Sequence, residues 1–234
     1  MSAPAVALDP ASPPAPPPSV ADRVTNEAPV SVEDYLARER ASTERHEYLD
    51  GFLLSMPGAS LTHTKIVTNL IVSLQSHLHD TECQALVTGL SVALPDHDTY
   101  AYPDAIVVCG DPELDTTHHD LLLNPTLLVE VLSESTGDYD RGEKFRRYRT
   151  LDSLQEYLLI DQYMPHVEQY VRQEAGWLLT DTDDLDATVA LASCPGTLPL
   201  ADVYRGVFSA DDEFSADDEG TDAGADADSD ENAA

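Results

Sequence analysis

A carboxylate in the middle of an apolar run needs a reason to be there. Glu130 sits in TLLVEVL, residues 126–132. Burying a lone carboxylate costs several kcal/mol unless it is paired or bound to a cation. Two plain explanations stand beside a functional one: a strand position that faces solvent, or an ion pair with an arginine such as Arg147. Asp104 shifts the balance, because it follows Pro103 and opens a second apolar run, AIVVC. Two carboxylates at the same end of adjacent strands make a hard oxygen site. Such a site suits Mg²⁺, which keeps several waters and takes one or two protein carboxylates.

Positive charge is concentrated near this pair. Residues 138–149, DYDRGEKFRRYR, hold Arg141, Lys144, Arg146, Arg147 and Arg149. They are five of the eleven basic groups in residues 30–205, which carry 30 acidic ones. Such a segment would meet phosphates beside a metal site. It would equally make a helix whose cations pair with Asp138, Asp140 and Glu143. The other histidines, including His118 and His119, show no ligand spacing and read as loop residues. Phosphate-loop, dinucleotide and nucleophile-elbow motifs are absent from the sequence.

The elements that must hold these residues can be read from periodicity. Ser31-Val-Glu-Asp34 is a helix-capping pattern that turns Tyr35 and Leu36 inward. Asp50-Gly51 predicts a hairpin with strands at about 46–49 and 52–56. Ile66, Val67, Leu70, Ile71, Leu74 and Leu78 predict a helix over 62–79. Strands are expected at 85–94, 104–109, 126–132 and 156–161, a charged helix at 138–150, and a terminal hairpin from 166–172 and 176–181. The fold class is α/β: a mixed central β-sheet flanked by helices, with a β-hairpin near each end of the domain. Residues 1–29 are Ala/Pro-rich and expected to be a disordered arm. Residues 30–205 form the domain, and residues 206–234 an acidic disordered tail.

Bulk composition bounds the setting. The net charge is −32 over 234 residues, with two lysines, Lys65 and Lys144. So acidic a body should repel nucleic acid at ordinary salt. One explanation is mimicry of DNA; the favoured one is a salt-rich, halophilic cytoplasm, where short screening lengths suit acidic surfaces. Three scattered cysteines without a signal sequence predict reduced thiols and a cytoplasmic location. No apolar run approaches the roughly 18 residues of a membrane span.

The series RHEYLDG, His63 opening the long helix, YPDAIVV, NPTLLVEVLSEST, DRGEKFRRY and EYLLID resembles the Uma-type putative restriction endonuclease family of the PD-(D/E)XK nuclease superfamily. The likeness spans about residues 30–205 and implies a restriction-endonuclease-like sheet. By this resemblance Asp104 and Glu130 match the metal-binding pair, with the Val131 carbonyl as a further ligand. Glu47 matches an acidic residue of the early helix–strand region, a ligand directly or through water. The superfamily lysine should lie two residues after Glu130, where this chain has Leu132. Lys144 matches a lysine of this branch that reaches back from the helix, and His63 a group supporting the site.

The implied reaction is Mg²⁺- or Mn²⁺-dependent hydrolysis of nucleic-acid phosphodiesters, with DNA the first expectation. Arg141, Arg146, Arg147 and Arg149 would then hold the backbone. A homodimer is expected if both strands of a duplex are cut. Two alternatives stand open: a catalytically inactive nuclease-fold binding module, which Leu132 motivates, and an acidic DNA-mimic interaction protein.

Overall fold

Glu130 and Asp104 take their positions from two neighbouring strands of one sheet. The computed structural model describes residues 18–56, 58–87, 89–94 and 98–208. Thirteen strands occur among them: β1 (His46–Leu49), β2 (Phe52–Ser55), β3 (Cys83–Val87), β4 (Ser91–Leu94), β5 (Thr99–Ala101), β6 (Ala105–Cys109), β7 (Leu121–Leu122), β8 (Leu127–Leu132), β9 (Glu156–Asp161), β10 (Val167–Gln173), β11 (Gly176–Thr182), β12 (Thr188–Ala190) and β13 (Thr197–Pro199). The helices are α1 (Val32–Ala41), α2 (Leu61–Leu78), α3 (Gly137–Tyr139), α4 (Phe145–Tyr148) and α5 (Leu200–Val203). A π-helical turn, Asp140–Lys144, joins α3 to α4.

Six strands form the main sheet in the order β11-β10-β9-β8-β6-β3. Its pairing is antiparallel except for β8 with β9, which run parallel across the α3–α4 crossover. Both faces are covered, so all six residues of β8 are buried. Period-two alternation sorts them. Val129 and Val131 pack with Ile66, Leu70 and Leu74 of α2. Leu128 and Leu132 pack with Phe145 and Tyr148 of α4. Glu130 shares the parity of Leu128 and Leu132, and so turns toward the α3–α4 side. Each well-buried Leu or Ile here contributes about 1.5–3 kcal/mol, which is what holds an unfavourable carboxylate among them.

A second sheet, β2-β1-β5-β4-β7, carries Glu47 on β1. Its hairpin turns at Asp50 (φ 48°) and Gly51 (φ 95°), the left-handed pair that a tight two-residue turn requires. A Cβ on Gly51 would lie 2.5 Å from the Pro29 side chain. The turn therefore also seats the preceding chain.

The mixed α/β architecture flanked by helices is as expected, with its strands divided between two large sheets and the β12–β13 pair. Three expectations need correction. The strand expected over 85–94 is two strands in different sheets, broken around Gly89 (φ 118°). Residues 18–29 are not a loose arm: Thr25 N–H donates to Leu53 O at 2.9 Å and Val30 N–H to Gly51 O at 2.8 Å, and Val20 is buried against Leu49, Leu54 and Tyr139. Residues 1–17 of the expected arm and 209–234 of the expected tail lie outside the described residues.

Third, Cys83 and Cys109 form a disulfide, leaving Cys194 as the free, buried thiol. The β3–β6 register sets the two cysteines opposite each other, a proximity that 26 residues of sequence separation conceal. The reducing-compartment argument therefore does not hold for this pair. Among the described residues no helix is long and apolar enough to cross a membrane.

Candidate active site

The β6–β8 register ends at Ala105↔Val129, and one step further Asp104 comes opposite Glu130. With no strand partner there, Val131 N–H donates to Asp104 Oδ2 at 2.8 Å. The same oxygen lies 3.1 Å from His63 Nε2. His63 occupies the first turn of α2, where Ser60 Oγ caps the helix by accepting from His63 N–H at 3.0 Å. Ser60 is itself tied to Gln162 at 2.7 Å, and Gln162 donates to Leu132 O. The carboxylate of Asp104 is thus fixed from two elements.

Across from it, Lys144 Nζ lies 2.8 Å from Glu130 Oε1, 2.9 Å from Glu47 Oε1 and 3.5 Å from Asp140 Oδ1. All four side chains are buried. The π-turn gives the helix the extra residue that directs Asp140 and Lys144 to this point while Phe145 and Tyr148 stay in the core. Tyr148 Oη donates to Glu130 Oε1 at 3.1 Å. Leu132, where the superfamily lysine is expected, packs in the core with Tyr148, and the ammonium arrives from the helix instead.

Burial raises Glu130 well above the usual carboxylate range. Lys144 pulls it down, but Asp140, Asp104 and Glu47 push it further up. Burial likewise raises Asp140 against the pull of Lys144. For Lys144 burial acts downward, and the carboxylates of Glu130, Glu47 and Asp140 outweigh it, so the ammonium keeps its proton. Glu130, Glu47 and Asp140 thus gather at one cation, with Asp104 near enough to Glu130 to add to its proton affinity. That imbalance of negative oxygen ligands fits a hard divalent ion. Among the described residues, no three His, Cys, Asp or Glu side chains converge as a preformed ion cage, since Lys144 stands between Glu47 and Glu130.

These groups line a cleft of about 510 Å³ together with Val131, His63, Arg23 and Arg45. Arg23 comes from the N-terminal segment, 3.4 Å from Glu47 Oε2 and over the Tyr139 ring. No local pattern marks it, because only the packing of residues 18–29 brings it in. Asp140 and Tyr148 were likewise missed as site residues, although Asp140 lies four residues before Lys144 on the predicted helix.

The expected phosphate-binding arginines are elsewhere, and none lines the cleft. Arg141 is bound to Glu168 at 2.6 Å and Arg146 to Glu143 at 2.6 Å. Arg147 is buried, 2.5 Å from Asp50 and 2.7 Å from Glu143, which removes its guanidinium from a ligand's reach. Arg149 is exposed at the end of α4. Acidic neighbours thus hold three of the four.

Comparison with known proteins identifies the family and the fold. The model of the Uma2 family, described as a putative restriction endonuclease, matches residues 32–201. Two uncharacterized proteins of Synechocystis sp. are similar. One, sll1609, is 36% identical over 63% of this chain and 84% of its own length. The other, slr1290, is 34% identical over 76% and 93%. Among solved structures, a putative nuclease of the DUF820 family from Anabaena variabilis superposes with a TM-score of 0.62 at 18% identity, covering 77% of this chain and all of that one. At that identity the likeness speaks for the fold, a mixed α/β nuclease-like architecture. The chain belongs to the Uma2 family of putative restriction endonucleases.

Proposed function

We propose that the protein is a metal-dependent endonuclease that hydrolyses phosphodiester bonds of DNA. The observation that carries this reading is the convergence of Glu130, Glu47 and Asp140 on the buried Lys144, with Asp104 beside them on Val131 N–H and His63. Asp104 and Glu130 would hold Mg²⁺ or Mn²⁺, with Glu47 direct or through water. The Val131 carbonyl would join them, since the N–H and C=O of one strand residue face the same edge and its N–H already meets Asp104. When bound, the ion lowers the pKa of a water and offsets charge on the phosphoryl oxygens.

The chain's own groups do the rest. Val131 N–H and His63 fix Asp104, and Tyr148 fixes Glu130. Lys144, kept protonated by its carboxylates, positions the attacking water and stabilises negative charge as the P–O bond is cleaved. Water adds to phosphorus, the sugar oxygen leaves with a proton, and a phosphomonoester and an alcohol result. A second copy would serve cleavage of both strands, and β11 at the sheet edge offers a pairing site for it.

A duplex-cleavage assay with Mn²⁺ or Mg²⁺ in high-salt buffer tests the proposal. Activity should vanish with chelator and fall by at least about a hundredfold in Lys144→Met, the usual scale for losing one preorganised charge-stabilising group. Cleavage unaffected by either change would overturn it. The seat of Lys144 among three carboxylates, where an ion would otherwise lie, favours a second reading: a nuclease-fold module that binds nucleic acid without cutting it. Binding without cleavage under every divalent ion would establish that alternative.

A further inference from the structure

Besides Lys144, the Lys and Arg side chains that line the cleft, Arg23 and Arg45, come from the N-terminal part of the chain. Arg45 opens the β1 motif, and its side chain is 55% exposed at the cleft wall. Its guanidinium rests 5.3 Å from the centre of the Tyr102 ring. Its acidic neighbour, Glu39, is 3.8 Å away and already accepts from His46 N–H and Tyr102 Oη. Arg45 is thus stacked and aimed, and among the described residues the long ion pair to Glu39 leaves its donors within a ligand's reach. Arg23 lines the same cleft beside Tyr139, its Nε donating to Ser55 O at 3.1 Å and one terminal nitrogen 3.4 Å from Glu47, which leaves the other terminal nitrogen for a ligand. A guanidinium over an aromatic face is oriented at little entropic cost, and its planar fork matches two phosphate oxygens.

Resting on the nuclease reading above, we infer that Arg45 and Arg23 form the clamp for the substrate's phosphodiester backbone. Arg141, Arg146 and Arg147 brace the fold instead. In so acidic a body, the few cations at the cleft must carry the attraction for phosphate, so the ion count of binding is small. Each phosphate contact contributes about −0.9 to the slope of log Kobs against log salt on duplex DNA. Two clamp arginines predict a slope of about −1.8, whereas Arg141, Arg146 and Arg149 together would give about −2.7.

The test is fluorescence anisotropy of a labelled DNA duplex across a KCl series without added divalent ion, alongside cleavage with Mn²⁺. Arg45→Ala, Arg45→Lys, Arg23→Lys and Arg149→Ala are compared with wild type, each checked by thermal melt. Arg45→Ala should bind about tenfold more weakly, with the slope reduced to about −0.9. Arg45→Lys should recover the slope but only part of the affinity, Arg23→Lys should weaken binding in the same way, and Arg149→Ala should match wild type. An Arg45→Ala variant that binds with unchanged affinity and slope would overturn the clamp, most clearly if Arg149→Ala is the one that weakens. Wild type that binds, depends on Arg45 and never cuts would leave the clamp standing and remove the nuclease reading. Wild type without measurable binding at any salt would overturn the clamp, while the cleavage arm reports separately on the nuclease.

Discussion

Glu130 shows how a single buried group sets the pH behaviour of the site. Burial raises its affinity for a proton above the ordinary value of 4.5, the neighbouring acids add to this, and Lys144 offsets part of it. The folded state therefore binds the proton more tightly than the unfolded chain. As pH rises above about 4.5, Glu130 subtracts stability until its folded value is passed, by up to about 1.4 kcal/mol per pH unit. Glu130→Gln removes that charge and keeps an acceptor for Tyr148. It should thus gain on wild type progressively as pH rises above about 4.5 in urea unfolding, and a constant difference would contradict the raised proton affinity. Glu130 and Asp104 were legible in the sequence because a carboxylate in or beside an apolar run is costly without a partner. Arg23 and Tyr148 were not, because nothing local distinguishes an arginine after a Pro-rich stretch or a tyrosine in a basic helix. Cys83 and Cys109 were invisible as a pair for the same reason: strand register is a tertiary fact.

The π-turn Asp140–Lys144 is the element on which the site depends most. One extra residue in a helix rotates the residues after it by about 100°, and here that rotation lets Lys144 meet Glu130 while Phe145 and Tyr148 face the core. Gly142 is exposed on this turn, with open space where a Cβ would sit. Deleting Gly142 would restore regular α-helix and turn Asp140 and Lys144 out of register. Circular dichroism should show helix retained while Mn²⁺-supported cleavage is lost; a deletion variant with full activity would sink the role given to the turn. The residue pattern predicts a helix over 138–150 but not its irregularity, since apolar spacing does not register one added residue. The same blindness merges β3 and β4 into one strand. Their apolar residues run on with only Thr88, Gly89 and Ser91 between them, and the positive φ of Gly89 marks the change of sheet.

At the scale of the whole molecule, charge governs what can be measured. A net charge of −32 attracts any cation to the surface, and that diffuse uptake weakens as the screening length falls to roughly 3 Å near 1 M salt. A site built from Asp104, Glu130 and Glu47 retains its ion better, because partly buried groups are screened less. The order of the sheets, with Glu47 in one and Asp104 and Glu130 in the other, was not legible from the sequence: strand runs do not state their partners. The most direct test of the central claim is therefore Mn²⁺ calorimetry in high-salt buffer on wild type, Asp104→Ala and Glu130→Ala. Near-stoichiometric binding is expected in wild type, lost in both variants. Equal heats in all three proteins would mean that the acidic surface alone takes up metal, and would contradict a metal site at Asp104 and Glu130.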